Sequence, residues 1–140
     1  MKLVQHLLDT KGGDVISIAP EASVFDAIKL MADRAVGALL VMQGEEMVGI
    51  VTERDYARKV ILLGRSSETT SVEQIMSTEV VAASVEQTVQ ECMTLMTEKR
   101  IRHLPVVAGD RVIGLISIGD LVQAIISDQQ QAIEQLENYI

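Results

Sequence analysis

Aromatic residues are nearly missing from this chain: no Trp, one Phe and two Tyr in 140 residues. Any core must therefore be aliphatic, and a hydrophobic fraction of 48% supplies it from Val, Ile, Leu, Met and Ala. So few rings leave little to stack unpaired bases. Positive charge is scarce too, with 12 Lys and Arg against 20 Asp and Glu and a net charge of −8. Duplex binding needs a basic face to neutralise phosphates, so no nucleic-acid partner is expected. The one cysteine, Cys92, excludes an intrachain disulfide and fits a reducing compartment. With only His6 and His103 beside it, no metal-ligand cluster is expected. No run approaches the ~18 apolar residues of a membrane span. The opening "MKLVQHLL" is too short an apolar run for a signal peptide. The expectation is a soluble cytoplasmic protein with no membrane partner. Phosphate-binding glycine loops are absent as well, and "KGGD" reads as a turn.

What the chain does have is a duplication. Slid by 65 positions, Val15 to Ile61 lies over Val80 to Ile126 without a gap. Identities include Glu21/Glu86, Val24/Val89, Met31/Met96, Leu39/Leu104, Gly49/Gly114, Asp55/Asp120 and Ile61/Ile126. Each copy of roughly 47 residues buries too little surface to stand alone comfortably, so a shared core is expected.

The periodicities change in the same order in both copies. "VISIA" from Val15 and "VVAAS" from Val80 read as short strands. Ser23-x-x-Asp26 and Thr88-x-x-Glu91 are capping-box patterns that open a helix. Val24, Ala27, Ile28 and Met31 then fall on one helical stripe, as do Val89, Cys92, Met93 and Met96. "GALLVM" and "MVGIVT" flank turn residues Gln43 to Glu46, a hairpin matched by "HLPVV" and "VIGLIS" around "AGDR". A second helix starts near Arg54 and near Gly119. The expected fold is α/β (α+β): two tandem β-α-β-β-α units with flanking helices. The expected boundaries are an N-terminal helix at 1–12, a first unit at 13–63, a linker at 64–78, a second unit at 79–127 and a C-terminal helix at 128–140.

Thr52-x-x-Asp55 and Ser117-x-x-Asp120 occupy the last strand–helix junctions. The residues allow two readings. They have the form of simple helix caps. They also fit a mononucleotide, because a helix N-terminus attracts phosphate. A hydroxyl there adds a hydrogen bond, and an ionised Asp accepts from two ribose hydroxyls side by side.

The pattern Gly-h-x-Thr/Ser-x-x-Asp (h apolar) stands at Gly49 to Asp55 and at Gly114 to Asp120, inside two matching units. On these residues the chain resembles a tandem cystathionine-β-synthase (CBS) domain pair, from about Gly13 to Ser127. The proline-bearing strand entry at His103 to Val107 is similar to the family's, whereas the first copy carries Leu40 in place of the proline. The resemblance implies a pseudo-twofold axis relating the units and two inter-repeat clefts that take adenosine ligands. AMP is the leading ligand it implies, with ADP, ATP, NAD and S-adenosylmethionine as alternatives. It implies Asp55 and Asp120 as ribose acceptors, with Thr52 and Ser117 on phosphate. Ile16, Ser17, Val81 and Ala82 would flank the base, together with the segments Val36, Gly37 and Ala38 and Ile101 to His103. It also implies a homodimer, to which the apolar stripes Leu3, Val4, Leu7, Leu8 and Ile133, Leu136, Ile140 would contribute, unless either packs on its own domain.

The copies differ around the motif. Arg54, Arg58 and Lys59 surround the first, whereas Gly119, Gln123 and Ala124 hold those places in the second. One helix earlier, Lys99, Arg100, Arg102 and His103 have only Arg34 as a basic counterpart. Arg54, Arg100 and Arg102 are the expected phosphate contacts, because Arg binds phosphate bidentately. His103 would add a donor, and charge only when protonated. Cys92 aligns with Ala27 on a buried stripe and is read as a core thiol rather than a nucleophile. No catalytic constellation is present, so no enzyme is expected. The resulting reading is a regulatory module that binds an adenine nucleotide and signals to a partner protein. The competing reading is a structural or protein-interaction module with no nucleotide ligand.

Overall fold

A computed structural model describes residues 2–139 of the chain. Its backbone divides into two compact units: Val15–Val80, and residues 2–14 together with 81–139.

The first unit begins with a short strand β1 (Ser17–Ile18) and helix α2 (Val24–Arg34), the chain's first helix being α1 (Val4–Lys11). Strands β2 (Ala38–Gln43) and β3 (Glu46–Thr52) follow, then helix α3 (Glu53–Tyr56), which continues as a π-turn over Ala57–Ile61. β1 pairs parallel to β2, and β2 antiparallel to β3. Ser23 caps α2 by accepting from the Asp26 backbone N–H at 3.1 Å. Val24, Ala27 and Met31 of the expected stripe are buried, and they meet Leu39, Val41 and Val51 of the sheet in one core.

The second copy repeats this through β4 (Ala83–Ser84), α4 (Val89–Lys99), β5 (His103–Ala108), β6 (Arg111–Ser117) and α5 (Ile118–Tyr139). Thr88 and Glu91 close the capping box of α4. The irregularity in the hairpin recurs in register, at Val41/Met42 and at Val106/Val107. Gly44 and Gly109 turn the two hairpins at φ of 63° and 62°, left-handed values that glycine adopts without a Cβ clash.

Three features differ from the sequence reading. Strands β1 and β4 are only two residues long, at Ser17–Ile18 and Ala83–Ser84, because only that stretch of each pairs with the next strand. The expected separate C-terminal helix is instead the second half of α5, one helix of 22 residues. Nothing between Gly119 and Tyr139 is Gly or Pro, so no residue breaks the helix near Asp128. Ile133 and Leu136 of the expected stripe are exposed on it, and Ile140 lies outside the described residues.

The third difference concerns the segments before each repeat. α1 packs in the unit of the second repeat, where Val4, Leu7 and Leu8 join the core of Leu104, Val106 and Ile116. The segment read as a linker packs in the first unit, where Val72 and Ile75 join Leu39 and Val51. The two segments do the same job. Val24 N–H donates to Thr70 O at 2.8 Å, and its counterpart Val89 N–H donates to Lys2 O at 3.0 Å. Ser71 bridges Ser23, and Leu3 bridges Thr88. Each segment thus completes the core of the repeat it does not directly precede.

Candidate functional site

Each junction motif forms a helix-opening box. In the first unit, Thr52 N–H and the Thr52 hydroxyl both donate to Asp55 Oδ2, at 3.0 and 3.1 Å. The Asp55 backbone N–H returns a bond to Thr52 Oγ1 at 3.1 Å. In the second, Ser117 N–H donates to Asp120 Oδ2 at 2.8 Å, and Asp120 N–H to Ser117 Oγ at 3.2 Å. Caps of this kind satisfy backbone donors that the first helical turn leaves without partners. The hydroxyl and acid sit three residues apart because that spacing spans one turn.

Each acid also holds a lysine. Lys59 Nζ lies 3.2 Å from Asp55 Oδ1 and donates to Ile75 O at 2.9 Å. Lys11 Nζ lies 2.6 Å from Asp120 Oδ2 and donates to Leu115 O at 2.7 Å. In both units, then, a lysine links the acid to the segment that completes the core. Sequence reasoning set Lys59 among the cations near its motif but missed it as the partner of Asp55, although the i, i+4 spacing is a helical pairing signal. Lys11, 109 residues from Asp120, carries no such signal. The carboxylates remain partly accessible, with side-chain exposures of 14% for Asp55 and 25% for Asp120.

Of the residues expected near a base, those just before β2 and β5 are tied to these junctions. Gly37 O accepts from Glu53 N–H at 3.1 Å, and Arg102 O from Ile118 N–H at 2.9 Å, so the pre-strand segment and the helix start are tied together. Ala38 pairs with Thr52 across β2 and β3, and His103 with Ser117 across β5 and β6. Ile16 O accepts from Leu40 N–H. Ser17 is exposed, Ile16, Gly37, Val81 and Ala82 are half-buried, and Ala38 is buried. An open hollow of about 330 Å³ lies in the first unit between the end of α2 and the start of α3. Val36 and Gly37 line it, with Met31, Ala35 and Glu53 as further walls. Of the expected cations, Arg54 is exposed on α3, and Arg100 and Arg102 are exposed between α4 and β5.

Electrostatics separate the groups in the second unit. Burial alone would raise Asp120, but the hydrogen bond from Lys11, those from Ser117 and the Lys11 charge outweigh it and hold the acid below its ordinary range. Burial, then Lys11, push His103 down, with Asp120 opposing and Arg102 adding to the fall. His103 is therefore a neutral imidazole at pH 7. Burial and the neighbouring Glu91 raise the Cys92 thiol, which stays protonated inside the core. Among the described residues no group of three His, Cys, Asp or Glu side chains is placed to hold a metal, and no helix is long and apolar enough to cross a membrane.

These shifts have a definite sign. Both folded values are depressed, so the unfolded chain takes up protons first and stability falls as pH falls. For His103 the loss begins as pH drops through 6.5, and for Asp120 through 3.8. In thermal melts against pH, His103→Gln is expected to flatten the limb below pH 6.5, and Asp120→Asn the limb below 3.8. A limb left unchanged by its substitution would contradict the assignment.

Two β-α-β-β-α copies with a hydroxyl and an acid at each final junction define a tandem CBS pair. The CBS-domain family model matches residues 7–61 and 72–127, and the chain belongs to that family. Both intervals take in part of the segment that precedes the repeat. The chain is 39% identical over 146 residues to the CBS domain-containing protein CBSX3, mitochondrial, of Arabidopsis thaliana, covering 98% of this chain and 71% of that protein. It is similar to the solved structure of a protein with CBS domains from Burkholderia ambifaria MC40-6, with a TM-score of 0.88, 51% identity, and coverage of 91% and 96% of the two chains. The CBS domain pair of protein MJ0100, in complex with 5′-methylthioadenosine and S-adenosyl-L-methionine, matches with a TM-score of 0.81 over 91% of this chain and 98% of that one. At 23% identity that likeness speaks to the fold alone.

Proposed function

We propose that this CBS pair is a regulatory module that binds an adenine nucleotide at its strand–helix junctions and passes the change to a partner protein. The observation that carries the reading is the repetition of a partly accessible acid at the final junction of both units. The hollow bordered by Gly37 and Glu53 supports it, being of the size that small-molecule sites occupy. The adenosine compounds bound to the MJ0100 domain pair belong to the same ligand class. AMP is the first choice of ligand, with ADP, ATP, NAD and S-adenosylmethionine behind it. Asp55 and Asp120 accept from ribose, Thr52 and Ser117 meet phosphate, and Arg54, Arg100 and Arg102 supply positive charge. Ile16, Ser17, Gly37, Val81 and Ala82 flank the base; Ala38, being buried, contributes backbone rather than side chain. Neutral His103 serves as a hydrogen-bonding group. The reading includes no catalytic step, places the module in the cytoplasm in keeping with its one unpaired thiol, and makes it a homodimer with the exposed face of α5 contributing.

The completed capping boxes favour a second reading, because they satisfy hydroxyl and acid with no ligand at all. In that case the chain is an interaction module. A calorimetric and thermal-shift panel with the five ligands separates the two. Nucleotide binding stabilises as RT ln(1 + [L]/Kd), about 2.7 kcal/mol at a hundredfold excess over Kd. Asp55→Asn and Asp120→Asn should each remove part of that shift. A panel without saturable stabilisation leaves the interaction module as the function.

A further inference from the structure

We propose that Lys11 is an internal competitor for the second junction, its ammonium holding the carboxylate that ribose hydroxyls require. The inference rests on the nucleotide reading and adds its regulation. Asp120 Oδ2 already accepts from Ser117 N–H at 2.8 Å and from Lys11 at 2.6 Å. A diol that takes the carboxylate side by side, one hydroxyl on each oxygen, needs one of the two acceptor positions on Oδ2, and these two donors fill both. Ser117 N–H belongs to the cap and cannot leave without opening α5. Lys11 can leave, because its side chain is 40% exposed and water can solvate the freed ammonium.

What moves with Lys11 is specific. It is the last residue of α1, where Gly12 N–H closes the helix on Leu8 O at 2.8 Å. Its second contact, to Leu115 O at 2.7 Å, pins that end of the helix to β6. Releasing Lys11 therefore loosens the end of α1 beyond Leu8, while Val4, Leu7 and Leu8 stay packed in the core. The first junction is built differently. Its lysine, Lys59, sits in the same helical stretch as the acid it pairs with and is also held by Ile75 O. Ligand at the second junction is thereby coupled to the end of α1.

The test titrates 5′-methylthioadenosine and AMP calorimetrically into the wild type, Lys11→Met and Lys59→Met. The first probe has no phosphate, so it reports competition for the acid without any contribution of Lys11 to phosphate binding. Amide exchange across residues 8–13 is followed in parallel. An exposed ion pair of this kind implies that Lys11→Met binds 5′-methylthioadenosine about two- to fivefold more tightly at the second junction. Wild-type amides of residues 10–13 should exchange faster once ligand is bound, and those of Lys11→Met should not respond. Unchanged or weaker binding by Lys11→Met, with a wild type that binds, overturns the competitor while leaving the nucleotide reading intact. If neither protein binds either probe, both fall together. Binding by Lys11→Met alone would mark Lys11 as a complete block.

Discussion

Removal of residues 1–11 is expected to unfold the second unit while leaving the first folded. The segment carries Val4, Leu7 and Leu8, which are 0%, 9% and 8% exposed. Burying an aliphatic side chain of this size contributes about 1.5–3 kcal/mol. The three together are comparable to the whole stability of a small domain, about 5–15 kcal/mol. The deletion also strips backbone bonds, since Val4 N–H donates to Gln87 O, Gln5 N–H to Val85 O, and Val89 N–H to Lys2 O. Amide exchange reads the outcome by region: α4 and β5 should lose protection, and α2 and β2 should keep it. A milder version is Val4→Asp, which puts a charge at a fully buried position. Its counterpart Val72→Asp should reverse the pattern and open the first unit, because Val72 is also fully buried there. If the truncated chain keeps α4 protected, α1 is not part of that core.

The second large effect is a difference between two glycines of the repeated motif. Neither Gly49 nor Gly114 has a positive φ, so neither is there for its backbone freedom. Each is there for space. A Cβ at Gly49 would meet Ser77 O and Met76 Sδ, both at 2.8 Å. Ser77 is held by reciprocal backbone bonds with Ile50 at 3.0 and 2.9 Å, so it cannot withdraw without breaking the bridge. A Cβ at Gly114 would meet the Leu8 side chain, with Cδ2 at 2.6 Å. A side-chain methyl can rotate away; a bonded carbonyl cannot. Overpacking costs about 1–3 kcal/mol, and Gly→Ala regains about 0.4–1 kcal/mol from the unfolded chain. Gly49→Ala should therefore cost about 2 kcal/mol and Gly114→Ala about 1 kcal/mol or less. For units of this size each kcal/mol lowers Tm by about 4–8 °C. Differential scanning calorimetry of the two variants should show the larger drop for Gly49→Ala. The opposite order would mean that Leu8 is less free to move than the Ser77 carbonyl.

Much of the fold was legible in the residues, for a local reason. Capping boxes, helical stripes and hairpin turns act over three or four residues, and each left its mark at that spacing. Ser23 and Thr88 cap where their patterns placed them, and Cys92 lies buried beside its partner positions on α4. The junction motif was equally legible as a pattern. Its chemistry was not, because the cap and ligand readings use the same hydroxyl and the same acid. Two features escaped for another reason. The ion pair of Lys11 with Asp120 joins residues 109 positions apart, and no periodicity reports a contact at that range. The end of the second unit escaped because a helix already under way runs on through Ser127 and Asp128 when nothing breaks it.

The sequence by itself determined two copies of one β-α-β-β-α plan, their order, and the residues that stand at each final junction, because these rest on interactions between near neighbours. Only the tertiary structure decided which preceding segment completes which core, and hence which lysine reaches which acid. That choice is made by shape: Leu8 lies against Gly114, and Met76 against Gly49. The fit of side chains into the space left by a distant glycine is a property of the packed chain and not of any stretch of it.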